Sequence, residues 1–200
     1  MTDRRPISAA TGICAVGAVC ALALLAYQLS FPPFHTVVMV AWTLLALCTY
    51  ASARAAPWPY QRVWWTALVG FPVWEYALKF MIIRDVIPYS WFWLNRLEHL
   101  GWMASLLLLL TPACRRIWLL PSPFPLLFVL GLGGLIGNLN EFFEYALRLI
   151  WHTAGGSVWY SDTLLDMMTN VPGALLAFLI GWRLNRTSAP ALEAEPALLN

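Results

Sequence analysis

Charge is what this sequence has least of. Charged side chains make up 11% of its 200 residues and hydrophobic ones 60%, whereas a soluble globular domain carries roughly 25% charged residues. Runs that alternate apolar and polar residues are also missing, which excludes an outer-membrane β-barrel. No CxxC spacing occurs. Cys14, Cys20, Cys48 and Cys114 all lie in or beside apolar stretches, so they read as small buried hydrophobes rather than a disulfide or metal framework. HExxH, ExxH, a Walker A loop and GxSxG are all absent, and Ser90 and Ser161 have no adjacent base. These gaps remove the zincin, P-loop and serine-hydrolase readings. A net charge of +2 is too small to point to nucleic acid, which is therefore not expected as a partner.

What is present is a series of long apolar runs, the mark of an all-α polytopic membrane protein. The mean hydropathy is +0.67. About six spans are expected, over residues 7–29, 34–53, 63–83, 95–112, 124–151 and 162–183. Prolines punctuate the connections: Pro32 and Pro33, Pro57 and Pro59, Pro88, then Pro121, Pro123 and Pro125. Arg4 and Arg5 precede the first run like the start of a signal peptide, but the run is longer than an h-region and no A-x-A site follows, so a retained helix is expected. Residues 1–186 then form one transmembrane domain, and the Ala/Pro/Glu-rich residues 187–200 read as a disordered cytoplasmic tail.

Orientation follows from lysine and arginine. With both termini inside, Arg4, Arg5, Arg54, Arg62, Arg115, Arg116, Arg183 and Arg186 face the cytoplasm, against Lys79, Arg84, Arg96 and Arg148 outside. The location expected is the bacterial inner membrane, with the lipid bilayer itself as the first partner. Twelve tryptophans, many near span ends, fit interfacial aromatic belts. Tyr89, Trp91, Phe92 and Trp93 between the third and fourth spans read as such an anchor, or as an interfacial lid.

In that frame Glu75, Lys79, Arg96, Glu98, His99, Glu141, Glu144, Arg148, Asp162 and Asp166 all fall in the outer half of the bilayer. A charge in hydrocarbon costs several kcal/mol unless it is paired, hydrated or bound. Gly134, Gly137, Glu141, Glu144 and Arg148 share a stripe of the fifth span, and Gly133 pairs with Gly137 in a GxxxG step that admits a neighbouring helix. Glu144 can pair with Arg148 and Glu75 with Lys79, each at i+4. Glu141 has no such local partner. Asp162, Asp166 and Asn170 share a face of the sixth span. Asp162 fits the first-turn dipole, and Asn170 precedes Pro172, whose kink it can serve. In the fourth span Arg96 and His99 share a face while Glu98 points away.

There is also an internal echo. Glu75-Tyr-Ala-Leu-Lys79 matches Glu144-Tyr-Ala-Leu-Arg148, and Tyr89-Ser90 matches Tyr160-Ser161. His99 then falls opposite Asn170 and Asn95 opposite Asp166. Spans three to six read as a parallel duplicated helix pair.

Arg96 and His99, Glu141 and Glu144, and the run of Tyr160, Ser161, Asp162, Asp166, Asn170, Gly173 and Ala174 also carry a resemblance. Over roughly residues 95–183 the chain resembles the VanZ-like group of small bacterial membrane proteins, especially its YjdF-like (DUF2238) relatives. The resemblance implies a compact multi-helix inner-membrane fold. The name-giving member is linked to teicoplanin resistance. The sequence Asn95-Arg96-Leu97-Glu98-His99 departs from the aspartate-containing opening usual there, so the resemblance bears on fold and polar positions more than on a reaction.

Three functions remain open. An enzyme acting on a lipid or cell-envelope substrate would use His99, Glu141, Glu144 and Asp166 as acid–base groups, with Arg96, Arg148 and Asn170 binding substrate. A divalent metal would be held by His99, Glu141, Asp162 and Asp166. Alternatively the charges are a structural ion-pair core in a scaffold or regulatory protein, or belong to a small transporter. Protein partners are not legible in the sequence.

Overall fold

In the computed structural model, residues 33–88, 90–150 and 158–193 are described, and all their regular structure is helical. Five long helices follow one another: α1 (Pro33–Ala55), α2 (Trp58–Ile83), α3 (Phe92–Leu110), α4 (Phe124–Ile150) and α5 (Val158–Glu193), with a 3₁₀ turn at Arg115–Leu119 between α3 and α4. The first expected span, residues 7–29, lies outside the described residues.

The helices start and stop close to the expected positions, with two informative differences. Helix α2 begins five residues early because Pro57 caps it and Pro59 stands in its first turn, where a missing N–H costs nothing. Helix α5 runs on to Glu193, so disorder does not begin at residue 187 as expected. Ala191, Leu192 and Glu193 are strong helix formers.

Helix α3 sits in the middle. It packs against α5 and α2 over most of its length and touches α1 and α4 more lightly, while α4 packs on α5. Leu94, Met103, Leu106, Leu107 and Leu109 of α3 are buried, and all but Leu94 form the core with Trp42, Trp64 and Phe71. Trp42 lies against Phe71 with ring centroids 4.6 Å apart, and the indole N–H of Trp64 donates to Thr49 Oγ1 at 2.9 Å.

The α4–α5 seam is built from small residues. Val129, Gly133, Gly137 and Glu141 recur every four residues along the buried face of α4. Asp166, Asn170, Gly173, Ala174, Ala177 and Gly181 make the buried face of α5. Gly133, not Gly134, faces the seam: a Cβ on Gly133 would meet Ala174 at 2.7 Å, whereas Gly134 has nothing within 4 Å. A Cβ on Gly173 would sit 2.8 Å from the Leu100 carbonyl oxygen of α3. Small residues of this kind bring helices together where lipid supplies no hydrophobic drive.

The outward faces are apolar. Leu47, Leu127, Leu135, Phe142, Ile150, Met168, Val171 and Leu179 are all exposed, far more than a soluble surface carries in one belt. Phe124–Ile150 and Ser161–Arg186 are each long and apolar enough to cross a bilayer.

Gly173→Val forces a side chain onto a backbone oxygen that cannot rotate away. We expect it to cost about 1–3 kcal/mol, read as a drop in detergent melting temperature. Gly134→Ala, with open space around it, should stay within about 0.5 kcal/mol of the parent.

Candidate functional site

The chain reverses direction at each turn, so the C-terminal halves of α2 and α4 and the N-terminal halves of α3 and α5 meet at one end of the bundle. Ionisable residues from all four helices collect there, among them Glu75, Lys79, Arg96, Glu98, His99, Glu141, Glu144, Arg148, Asp162 and Asp166. Between the helices is a cavity of about 410 Å³, lined by Phe71, Glu75, Lys79, Arg96, Glu98, His99, Trp102, Asn140, Glu144, Arg148 and Asp162, among others. Exposed Ser90, Trp91 and Phe92 form its rim.

Each of the three cations that line the cavity, Lys79, Arg96 and Arg148, has carboxylate company. Lys79 Nζ lies 2.5 Å from Glu98 and 3.5 Å from Glu75. Arg96 Nη2 lies 2.8 Å from Asp162, with Asp166 at 3.9 Å from Nη1, and its guanidinium stands 4.7 Å over the Phe92 ring. Arg148 pairs with Glu144 one turn before it. Both expected i,i+4 pairs are present, but the closer partner of Lys79 comes from α3. Glu98 points away from His99, as the helix spacing predicts, and that direction is toward α2.

Deeper in, three side chains from three helices converge. His99 of α3, Glu141 of α4 and Asp166 of α5 bring one ligand-type atom each within 4.8 Å of one another. They are 8%, 8% and 2% exposed. His99 Nε2 is 3.6 Å from Asp166, and Nδ1 is 3.9 Å from Glu141. Neither separation is a hydrogen bond, and His99 Nδ1 has no hydrogen-bond partner. Asn95 Nδ2 reaches both oxygens of Asp166, at 2.9 and 2.8 Å, and so fixes that carboxylate's orientation.

Asn170, one turn below Asp166, is 2% exposed. Its Nδ2 stands where a Cβ on Gly137 would be only 2.7 Å away. Neither its oxygen nor its nitrogen has a hydrogen-bond partner, so the carboxamide does not serve the Pro172 kink as the sequence suggested.

The expected residues therefore separate. His99, Glu141 and Asp166 come together. Asp162 stands apart on Arg96, and Glu144 is held by Arg148 at the cavity wall. Arg96 and Arg148, read as substrate-binding groups, both line the cavity while engaged with these acids. Asn95 and Asn140 were not singled out as site residues. Asn95 was legible, since it lies four residues before His99 and so shares its face.

A family model for predicted membrane proteins, DUF2238, matches residues 2–187. The chain belongs to this family. No curated protein and no solved structure matches it. The membrane character of DUF2238 agrees with the exposed apolar belt around the helices, and in this DUF2238 protein the polar end of the bundle is the conspicuous departure from that character.

Lys79 is the one ammonium serving two acids, buried Glu75 and half-buried Glu98, in this DUF2238 bundle. Lys79→Met leaves Glu75 and Glu98 facing one another without a cation. We expect a loss of about 3–5 kcal/mol, seen in detergent unfolding, and recovery of most of it when Glu75→Gln and Glu98→Gln are added.

Proposed function

We propose that this is a six-span inner-membrane protein, with both termini cytoplasmic, whose polar cavity opens toward the outer leaflet. It receives the polar head of an amphiphile, a lipid or cell-envelope molecule, and acts on it by acid–base chemistry. The observation that carries this reading is His99, buried between the carboxylates of Glu141 and Asp166 and lining a cavity of about 410 Å³. An imidazole so placed can accept a proton on one side and return it on the other. The aromatic groups Phe71, Trp91, Phe92 and Trp102 give the cavity wall an apolar part for the start of an acyl or prenyl chain, beside charged groups for its head.

A duplicated helix pair supports the architecture. The repeat equates Asn95 with Asp166, and these two residues meet across the α3–α5 contact, as equivalent positions do beside a two-fold axis. The copies differ where the chemistry lies: His99 is matched by Asn170, and Glu141 by Pro72.

A transport path has less support. Below Asn170 the space between α3, α4 and α5 is filled by Met103, Leu107, Val129, Ala174 and Ala177. The next buried polar side chain there among the described residues, Thr111, donates back to the Leu107 carbonyl, which gives no continuous polar path for an ion. The ion-paired scaffold reading draws on the salt bridges of the cavity wall. It explains Glu144 and Arg148 better than it explains Glu141, which meets no lysine or arginine among the described residues.

Topology is read by fusions: alkaline phosphatase should be active when joined after Ile87 and inactive when joined after Arg186. Chemistry is read by reconstituting the protein with a bacterial total-lipid and envelope-precursor extract and profiling the products by mass spectrometry. The wild type should convert one amphiphile class, and His99→Ala and Asp166→Asn should each lose at least about 100-fold in rate. Conversion by folded variants at the wild-type rate would remove the acid–base reading. Retained function in Glu144→Arg/Arg148→Glu, with no conversion by the wild type, would favour the scaffold.

A further inference from the structure

The buried triad leaves its polar atoms in a condition that hydrogen bonds do not explain. The cavity and the triad beneath it hold six carboxylates (Glu75, Glu98, Glu141, Glu144, Asp162 and Asp166) and three fixed cations, Lys79, Arg96 and Arg148. Those cations lie closest to Glu98, Asp162 and Glu144. Glu141 is left with His99 and a 3.5 Å contact from Asn140. Asp166 keeps Asn95 and a distant Arg96. Two carboxylates at 8% and 2% exposure are costly in such a place unless something positive stands between them.

Independent of the acids, two of the buried polar groups that lack hydrogen-bond partners stand in or beside the triad. His99 Nδ1 is one, and both polar atoms of the Asn170 carboxamide are the other. Asn170 is 98% buried, given its 2% exposure. It lies on the Asp166 face of α5, one turn along, and abuts Gly137, which is one turn from Glu141 on α4. A carboxamide in this position ordinarily finds a hydrogen bond. Its oxygen suits a metal equally well.

The separations fit an ion. Two ligands each about 2.1 Å from a metal stand at most about 4.2 Å apart. The three ligand atoms of His99, Glu141 and Asp166 lie within 4.8 Å of one another, and in a tetrahedral set such ligands stand about 3.4 Å apart, so side-chain movements of up to about 1.4 Å close the site around a metal. The Asn95 N–H groups on Asp166 then act as the outer hydrogen bonds that orient a ligating carboxylate.

We propose that His99, Glu141 and Asp166 hold one divalent first-row transition-metal ion, with the Asn170 carboxamide oxygen as a fourth ligand. One imidazole nitrogen among oxygen donors is a borderline set, suited to manganese, iron or zinc in the divalent state. Asp162 is not a ligand, because Arg96 holds it at 2.8 Å. The inference rests on the proposed function only for the location of the site. It deepens that reading by giving the cavity floor a Lewis acid beside which a head-group oxygen can sit.

The test uses the full-length protein in detergent. Metal content is measured by mass spectrometry after chelator-free purification, and the chelator-stripped protein is titrated with Mn²⁺ and, separately, Zn²⁺. About one ion per chain is expected. Pulsed electron paramagnetic resonance of the Mn²⁺ form should show a single directly coordinated imidazole nitrogen, absent in His99→Ala. Asp166→Asn and Asn170→Leu should weaken affinity by about 10–100-fold, Asn170→Asp should retain the ion, and Glu98→Gln should bind as the wild type does. Melting curves with and without Mn²⁺ identify any variant that fails to fold, and the wild-type stoichiometry and nitrogen coupling stand without the variants. No saturable binding of either ion by the stripped wild type, or binding unchanged in His99→Ala, overturns the site. The lipid assay fails separately. Conversion that persists after chelation removes the metal and leaves the acid–base reading. Stoichiometric metal with no converted amphiphile keeps the metal site and removes the enzyme.

Discussion

A charge inside a bundle whose outer surface faces lipid must meet an opposite charge, a hydrogen-bonding partner or water, because hydrocarbon offers none. That requirement organises this protein. All the carboxylates and cations of the α2–α5 cavity are gathered at one end, and their pairings cross from helix to helix: Lys79 to Glu98, Arg96 to Asp162, Asn95 to Asp166. Each cross-helix contact fixes the rotation and depth of two helices at once, so the polar end acts as a register for the packing as well as a candidate site.

The remainder of the bundle is arranged to let those contacts form. Glycine and alanine along the buried faces of α4 and α5 bring backbones close. The approach of Gly173 to the Leu100 carbonyl and of Gly137 to Asn170 leaves little freedom for the helices to slide. The opposite end is closed by ordinary contacts. Asn185 Nδ2 donates to the Trp118 carbonyl at 2.9 Å, Trp118 packs on Phe178, and Arg115 donates to the Ala55 carbonyl at 3.2 Å. Between the two ends the apolar core of Met103, Leu107 and Ala174 separates the polar cluster from the rest of the molecule. An ion-paired rim over a triad that lacks full hydrogen bonding sets this end apart from the rest of the bundle.

Much of this could be read before the fold was known, for local reasons. Apolar runs broken by proline mark the helices, and Glu75 with Lys79 and Glu144 with Arg148 are partners because a helix brings i and i+4 together wherever it packs. Asp166 and Asn170, and Gly137 and Glu141, share faces for the same reason. Helix ends were less legible. The start of α2 depends on how Pro57 and Pro59 sit in its first turn, and the extension of α5 past Arg183 depends on weak propensities summed over a polar stretch.

By itself the sequence determined a helical membrane chain, the helix faces and the list of polar residues able to meet. Only tertiary structure decided which of them do meet. The periodicity of a helix says nothing of how far it is rotated against its neighbour or how deep it lies. A turn of 100° or a shift of one residue would give Arg96 to a different acid and take His99 away from Glu141. Asp162 and Asp166 are equivalent by spacing, yet the packing of α5 on α3 gives one to Arg96 and buries the other beside His99.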